Sequence, residues 1–276
     1  MKKSSLCMII AFCLASPFYV FCSEQTFTPI TSAEKYLDYL KTKPDFPKFA
    51  PPKTVIMIYS SSLLDKLLAD YPYQQGTSCF SELYLLKDRE VGVFYVRGMG
   101  GPALIHKMEE LIAFGVKNFI SIGYAGALTN DLAVGDWVVY SKALSEDGAG
   151  HLYMNKSDNF SHANLDLIEK WKLFMQTKHS NNPPFKSAVS WSYPVLFRET
   201  QEDVARVTAL GCNTVEMEVA AFFAIAKEKG VTPLALYVIS DSLASGEWDP
   251  HLQDPSVKGS IKKIADLAIE FSHIEP

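Results

Sequence analysis

Apolar runs of strand length alternate with longer segments of helical period along most of this chain. Thr54, Val55, Ile56, Met57, Ile58 and Tyr59 form a nearly continuous apolar run, the pattern of a strand covered on both faces, and 63–69 reads as the helix that follows. Strands are expected at 82–86 and 91–96, split by the polar turn Lys87, Asp88, Arg89, Glu90. Gly98-Met99-Gly100-Gly101-Pro102 opens a helix through about Phe114, with proline near its first turn and Gly115 at its end. A buried strand at 118–122 leads into the loop Gly123-Tyr124-Ala125-Gly126, and a long strand covers 136–144. The segment 165–176 has the period of an amphipathic helix, with Leu165, Ile168, Trp171, Leu173 and Met175 supplying its apolar surface. The last third repeats the alternation, with strands at 189–193, 214–217 and 234–239 and helices at 202–210, 220–229 and 261–271. Strands alternating with helices imply an α/β sandwich around one mixed sheet, in a single domain.

The first residues break this pattern. Lys2 and Lys3 precede an apolar stretch from 6 to 21, and the first acid is Glu24. This is the layout of a secretory signal, expected over 1–23, and Ser16-Pro17 interrupts the run before it reaches membrane-spanning length. The protein is therefore expected to be exported, periplasmic or secreted, with no membrane attachment once the signal is removed. Residues 24–52 read as an N-terminal extension, since Pro44, Pro47, Pro51 and Pro52 break any long helix, and 53–276 as the main domain. The mature chain keeps Cys79 and Cys212, which either pair in an oxidising compartment or remain buried thiols; two cysteines do not make a disulfide framework. No Cys or His pair has zinc-ligand spacing, so neither a metal nor a cofactor is expected. A net charge of -5 excludes nucleic-acid binding by bulk electrostatics, and 48% hydrophobic residues exclude a disordered chain.

Ligands of open α/β sheets sit beyond the carboxyl ends of strands, and four segments fall there. The glycine-rich turn around Met99 lets backbone N–H groups approach a ligand at a helix start, though many tight strand-to-helix turns share that composition. Residues 121–128 form a second small, glycine-rich segment. Glu216 and Glu218 flank Met217 where a buried strand turns into an apolar helix; a carboxylate there can accept from two adjacent sugar hydroxyls, or can simply complement the helix dipole. Asp241 ends a hydrophobic strand, where it is either a working acid or the cap of a turn.

In order and spacing, GMGGP, SIGYAGAL, VGDWVV, EDGAGHLY, FRET, VEMEVAA and VISDSL resemble the nucleoside phosphorylase and nucleosidase superfamily, most closely its uridine phosphorylase-like branch, from about 53 to 271. The resemblance implies a three-layer α/β/α sandwich with a central mixed sheet, cleavage of the bond between a base and its ribose, and a homo-oligomer whose subunits complete one another's pockets. By the same resemblance Glu218 binds the ribose hydroxyls, Met217 packs under the sugar, and Glu216 lies near the nucleoside pocket. Asp241 protonates or hydrogen-bonds the leaving base, and Met99 falls near the ribose. Ala125 and Gly126 line the base and ribose side, and Phe197 and Arg198 stack on and hydrogen-bond the base. Such cleavage passes through an oxocarbenium-like sugar, so the ribose must be held and the departing base neutralised.

The departures from the family pattern concern the nucleophile. Phosphorolytic members carry Gly-Asp-Pro and an arginine after the first strand, where this chain has Tyr59, Ser60, Ser61 and Ser62. They carry an arginine and a Ser or Thr where this chain has Ser121 and Tyr124, and a lent arginine where it has Thr77, Ser78, Cys79 and Phe80. Serine hydroxyls and Arg97 are the remaining groups that could compensate. Hydrolytic members place a water-orienting glutamate soon after the first strand, where the nearest acid here is Asp65. A phosphate dianion needs fixed positive charge, so hydrolysis is favoured over phosphorolysis; a non-catalytic nucleoside-binding or storage protein of the same fold is the third reading.

Overall fold

The computed structural model describes residues 29–87, 89–155 and 157–274; the signal expected over 1–23 lies outside the described residues, as do residues 24–28 of the expected extension. Residues from Ala33 onward form one unit, so the stretch before the first strand packs with the body rather than apart from it. That stretch holds α1 (Ala33–Lys41), and its Leu37, Phe46 and Phe49 join the core, with Phe46 and Phe49 edge-on to Phe114. The prolines come after this helix and do not prevent it.

The described strands are β1 (Thr54–Ile58), β2 (Tyr73–Gln75), β3 (Leu83–Leu86), β4 (Val91–Tyr95), β5 (Asn118–Ala127), β6 (Trp137–Ser145), β7 (Phe160–His162), β8 (Lys186–Ser192), β9 (Thr214–Glu216), β10 (Thr232–Ser242) and β11 (Asp249–Pro250). The helices after α1 are α2 (Ser61–Asp70), α3 (Gly101–Phe114), α4 (Leu165–Lys178), α5 (Gln201–Ala209), α6 (Val219–Lys229) and α7 (Pro255–Ser272). One mixed sheet joins the strands in the order β11, β10, β6, β8, β9, β5, β1, β4, β3, β2, with β7 on β6. An added parallel pairing of β10 with β5 closes β5, β10, β6, β8 and β9 into a ring, which leaves β1, β4, β3 and β2 as an open wing.

Alternation along β1 sorts the two faces. Val55 and Met57 pack with α1, α3 and α6, whereas Ile56 and Ile58 pack with α2, α4 and α7, giving the α/β/α layering. On α4 the residues facing the core are Ile168, Trp171, Phe174 and Met175, while Leu165 and Leu173 are exposed. The apolar face of α3 is likewise internal, through Leu104, Ile105, Met108 and Leu111, which leaves Met99 as exposed apolar surface beside it.

The segment expected to be a loop, 123–126, is strand: β5 runs unbroken from Asn118 to Ala127 because β10 and β9 pair with its second half. Its glycines serve close packing. A Cβ on Gly123 would stand 2.5 Å from the Tyr237 ring, and one on Gly126 would stand 2.9 Å from Leu243 and 3.1 Å from Asp241 Oδ2. Cys79 and Cys212 are free thiols, Cys212 buried under α5 with Trp191 and Val207. No described helix is long and apolar enough to cross a membrane.

Candidate active site

The carboxyl ends of β1, β5, β9 and β10 converge with the start of α3. Glu216 ends β9, and its carboxylate is saturated by the chain. Oε1 accepts from Ser190 Oγ at 2.7 Å and from Ser192 Oγ, and Oε2 accepts from the backbone N–H groups of Glu218 at 2.6 Å and Val219 at 2.7 Å. It thereby caps α6, whose own first residue offers no side-chain cap. Ser192 Oγ extends the arrangement by accepting from Ala220 N at 2.8 Å.

Glu218 turns the other way. Its Oε1 accepts from Gly100 N at 2.6 Å, tying the strand-to-helix turn after β9 to the turn that opens α3. Burial and the neighbouring Glu216 charge push the Glu218 carboxyl well above its ordinary range, with Asp147 adding to the push. Asp147, which sequence reasoning passed over, braces this corner. It accepts from Ser145 Oγ at 2.8 Å and from the N–H groups of Ala149 and Gly150 at 3.2 and 3.0 Å. The expected sugar-side residues Met217 and Met99 flank Glu218; Met217 is half-buried and Met99 is exposed.

Asp241 follows a bulge. The register of β10 on β5 shifts between Ile239 and Asp241, so Ser240 is the extra residue and Asp241 is re-aimed beside Gly126. Ser240 Oγ donates to Asp241 Oδ1 at 2.7 Å and Trp248 Nε1 to Oδ2 at 2.9 Å. Gly126 thus lies against Asp241 and Ala125 beside Ile239 before the bulge, while Trp248 carried no local signal in the sequence. Phe197 and Arg198 lie on an exposed turn, and Phe197 is 88% exposed with its ring unstacked among the described residues. Glu199, directly after them, lines a cavity of about 460 Å3 with Trp248, Leu128 and Leu243.

Between these two ends, where the family pattern would place an arginine, lies a neutral hydroxyl chain. Ser121 Oγ sits 2.9 Å from Tyr59 Oη and 3.0 Å from Tyr237 Oη. Burial raises both phenols well above the ordinary tyrosine value, and the Glu218 charge adds to it at Tyr59, so all three groups are neutral. Among the described residues no lysine, arginine or histidine bonds to them. Arg97 is drawn away to the surface, where its Nε pairs with Glu82 Oε1 at 2.8 Å. Tyr124 packs on the opposite face of β5, and lines a separate cavity of about 180 Å3 with Ser60, Ser62, Lys66 and Lys258.

The sequence from 53 to 272 matches the family described as the phosphorylase superfamily. This chain belongs to the phosphorylase superfamily. Among its relatives, the DeoD-type purine nucleoside phosphorylase of Shewanella oneidensis is 27% identical over 227 residues, 79% of this chain and 92% of that protein. The DeoD-type enzyme of Myxococcus xanthus is 26% identical over 180 residues, 65% of this chain and 73% of that protein. A uridine phosphorylase structure from Vibrio fischeri matches with a TM-score of 0.68 at 18% identity, covering 83% of this chain and 94% of that one. A futalosine hydrolase mutant structure from Helicobacter pylori matches with a TM-score of 0.65 at 18% identity, covering 82% of this chain and all (100%) of the other. The superfamily fold is thus common to a phosphorylase and a hydrolase, and the choice between their chemistries rests on the side chains of the site.

Proposed function

We propose that this superfamily member is a nucleosidase, which cleaves the N-glycosidic bond of a nucleoside with water as the nucleophile. The observation that carries the reading is the Tyr59, Ser121 and Tyr237 chain, with contacts of 2.9 and 3.0 Å and no cation bonded to it among the described residues. Phenol and serine hydroxyls hold a water well but neutralise little of a phosphate dianion's charge. An oxocarbenium-like sugar needs that water held more than activated. In this reading Glu218 accepts from the ribose hydroxyls, Met217 and Met99 lie against the sugar, and Glu216 fixes the turn that presents Glu218. The base leaves toward Asp241, with Ala125 and Gly126 below it and Phe197 and Arg198 at its outer edge.

The test is a nucleoside panel assayed with and without phosphate, with the sugar product identified. Base release in phosphate-free buffer, yielding free ribose or a ribose derivative, is the expected result. Ribose 1-phosphate as the main product would establish phosphorolysis instead, and tight binding without base release would support the non-catalytic binder.

Two further parts of the proposal concern context. Export rests on the basic and apolar N-terminal segment. Assembly into at least a dimer is favoured by apolar side chains left in solvent around the cleft, among them Met99 at 66%, Leu152 at 82% and Phe197 at 88% exposed. Light scattering that shows a fully active monomer would refute the assembly.

A further inference from the structure

The base end of the cleft holds two carboxyl groups in contrasting surroundings. Asp241 has a donor on each oxygen, Ser240 Oγ on Oδ1 and Trp248 Nε1 on Oδ2. Both of its oxygens are thus occupied as acceptors. Glu199 is partly buried and has no hydrogen bond or ion pair among the described residues. It shares with the Trp248 ring the wall of a cavity of about 460 Å3, within the size range of small-molecule sites. Leu128, Val204 and Leu243 give that cavity an apolar side and Thr200 and Ser245 a polar one.

We propose that Glu199 is a catalytic residue that carries the proton to the departing base, with Asp241 beside it as the fixed acceptor. The proposal rests on the N-glycosidic cleavage reading and reassigns the acid within it. The charged groups facing Glu199 are Asp241 from β10 and Glu247 from the loop after it; both are acidic, and Arg198, its chain neighbour, points to solvent. Burial, then the Asp241 charge, push the Glu199 carboxyl up to about 7. It is therefore part protonated near neutral pH, the state in which one group both donates and is reloaded. One carboxyl with a donor on each oxygen and one with none can divide the roles of acceptor and donor.

The step balances. As the C1′–N bond breaks, its electron pair stays on the base, and the Glu199 proton passes to the base, leaving a Glu199 carboxylate. Water adds to C1′, and the proton it sheds returns to Glu199 through solvent in the open cavity. The base departs neutral, the sugar gains a hydroxyl, and the enzyme is restored.

The test compares wild type with Glu199→Gln on two substrates: the best-cleaved nucleoside of a panel, and p-nitrophenyl β-D-riboside, whose leaving group needs no proton. The variant is expected to lose about a hundredfold in kcat on the nucleoside and less than about threefold on the riboside. The fall in nucleoside kcat/KM above about pH 7 should disappear with it. In parallel, protein labelled with 13C at the glutamate carboxyls should show one resonance, missing in the variant, that titrates near pH 7. Equal losses on both substrates, or an unchanged rate on the nucleoside, would overturn the role of Glu199 and leave the cleavage reading standing. So would a Glu199 midpoint near the ordinary glutamate value of about 4.3. Wild-type protein inert toward both substrates would overturn the cleavage reading, and this role with it.

Discussion

On the Glu216 and Glu218 side of the cleft the carboxylates are held by the chain itself: four donors reach Glu216, and Gly100 N–H reaches Glu218 at 2.6 Å. On the Asp241 and Glu199 side one carboxyl is held by Ser240 and Trp248 while the other faces a cavity of about 460 Å3. The first side is rigid before any ligand arrives, and the second is left open. A sugar common to all nucleosides suits a fixed socket, whereas a base that must be released suits a site that exchanges protons with solvent.

The contrast yields effects of graded size. Asp241→Asn should be the most damaging: kcat/KM falls about a hundredfold or more, with nucleoside affinity reduced as well, because the fixed acceptor for the base is lost, as steady-state kinetics would show. Near-native turnover would make Asp241 a turn cap only. At pH above its raised folded-state value, where Glu218 is charged, Glu218→Gln should weaken nucleoside binding by on the order of 2–3 kcal/mol in calorimetry, since an amide replaces a charged acceptor. The same variant should be more stable than wild type at alkaline pH. The folded-state carboxyl is raised, so the stability it contributes is full below the unfolded glutamate value and is lost as pH rises through the folded one. Its Tm advantage should therefore vanish on acidification, and an advantage independent of pH would contradict the buried repulsion with Glu216.

Glu216→Gln should act on the fold instead. An amide nitrogen must then meet N–H or O–H donors, costing about 2 kcal/mol, or a Tm lower by about 4–8 °C in calorimetry. If binding were lost with stability intact, Glu216 would be a ligand contact rather than a brace. The smallest effect belongs to Phe197→Ala. Tm should not move by more than about 1 °C, because the ring is exposed, while nucleoside affinity drops about fivefold through lost stacking. A large stability loss would mean that Phe197 is buried against a second copy.

The same divide governed what the sequence could disclose. β1 was legible because a strand covered on both faces is apolar at every position, and Glu218 and Asp241 were legible as carboxylates at the ends of such runs. The sequence could not separate Glu216 from Glu218: they lie two residues apart, and only the positions of Ser190, Ser192 and Gly100 decide which caps α6 and which reaches the turn before α3. The strand through Gly123 and Gly126 reads as a loop because its glycines fit the Tyr237 ring and Asp241, which come from distant sequence. Glu199 gives no local signal, since its environment is made by Asp241 and by Trp248 from beyond β10.

The neutral hydroxyl chain also restricts how a cation could be introduced at this point of the site. Replacing Ser121 with arginine would push a guanidinium between two buried phenols that now contact its hydroxyl at 2.9 and 3.0 Å. Shortening Tyr237 alone would uncover Gly123, on which its ring rests, and shortening Tyr59 alone would leave Ser121 half-partnered beside a void. Each single substitution is worse than either end state, so a route to a guanidinium here crosses a valley that only coordinated replacement of all three residues avoids.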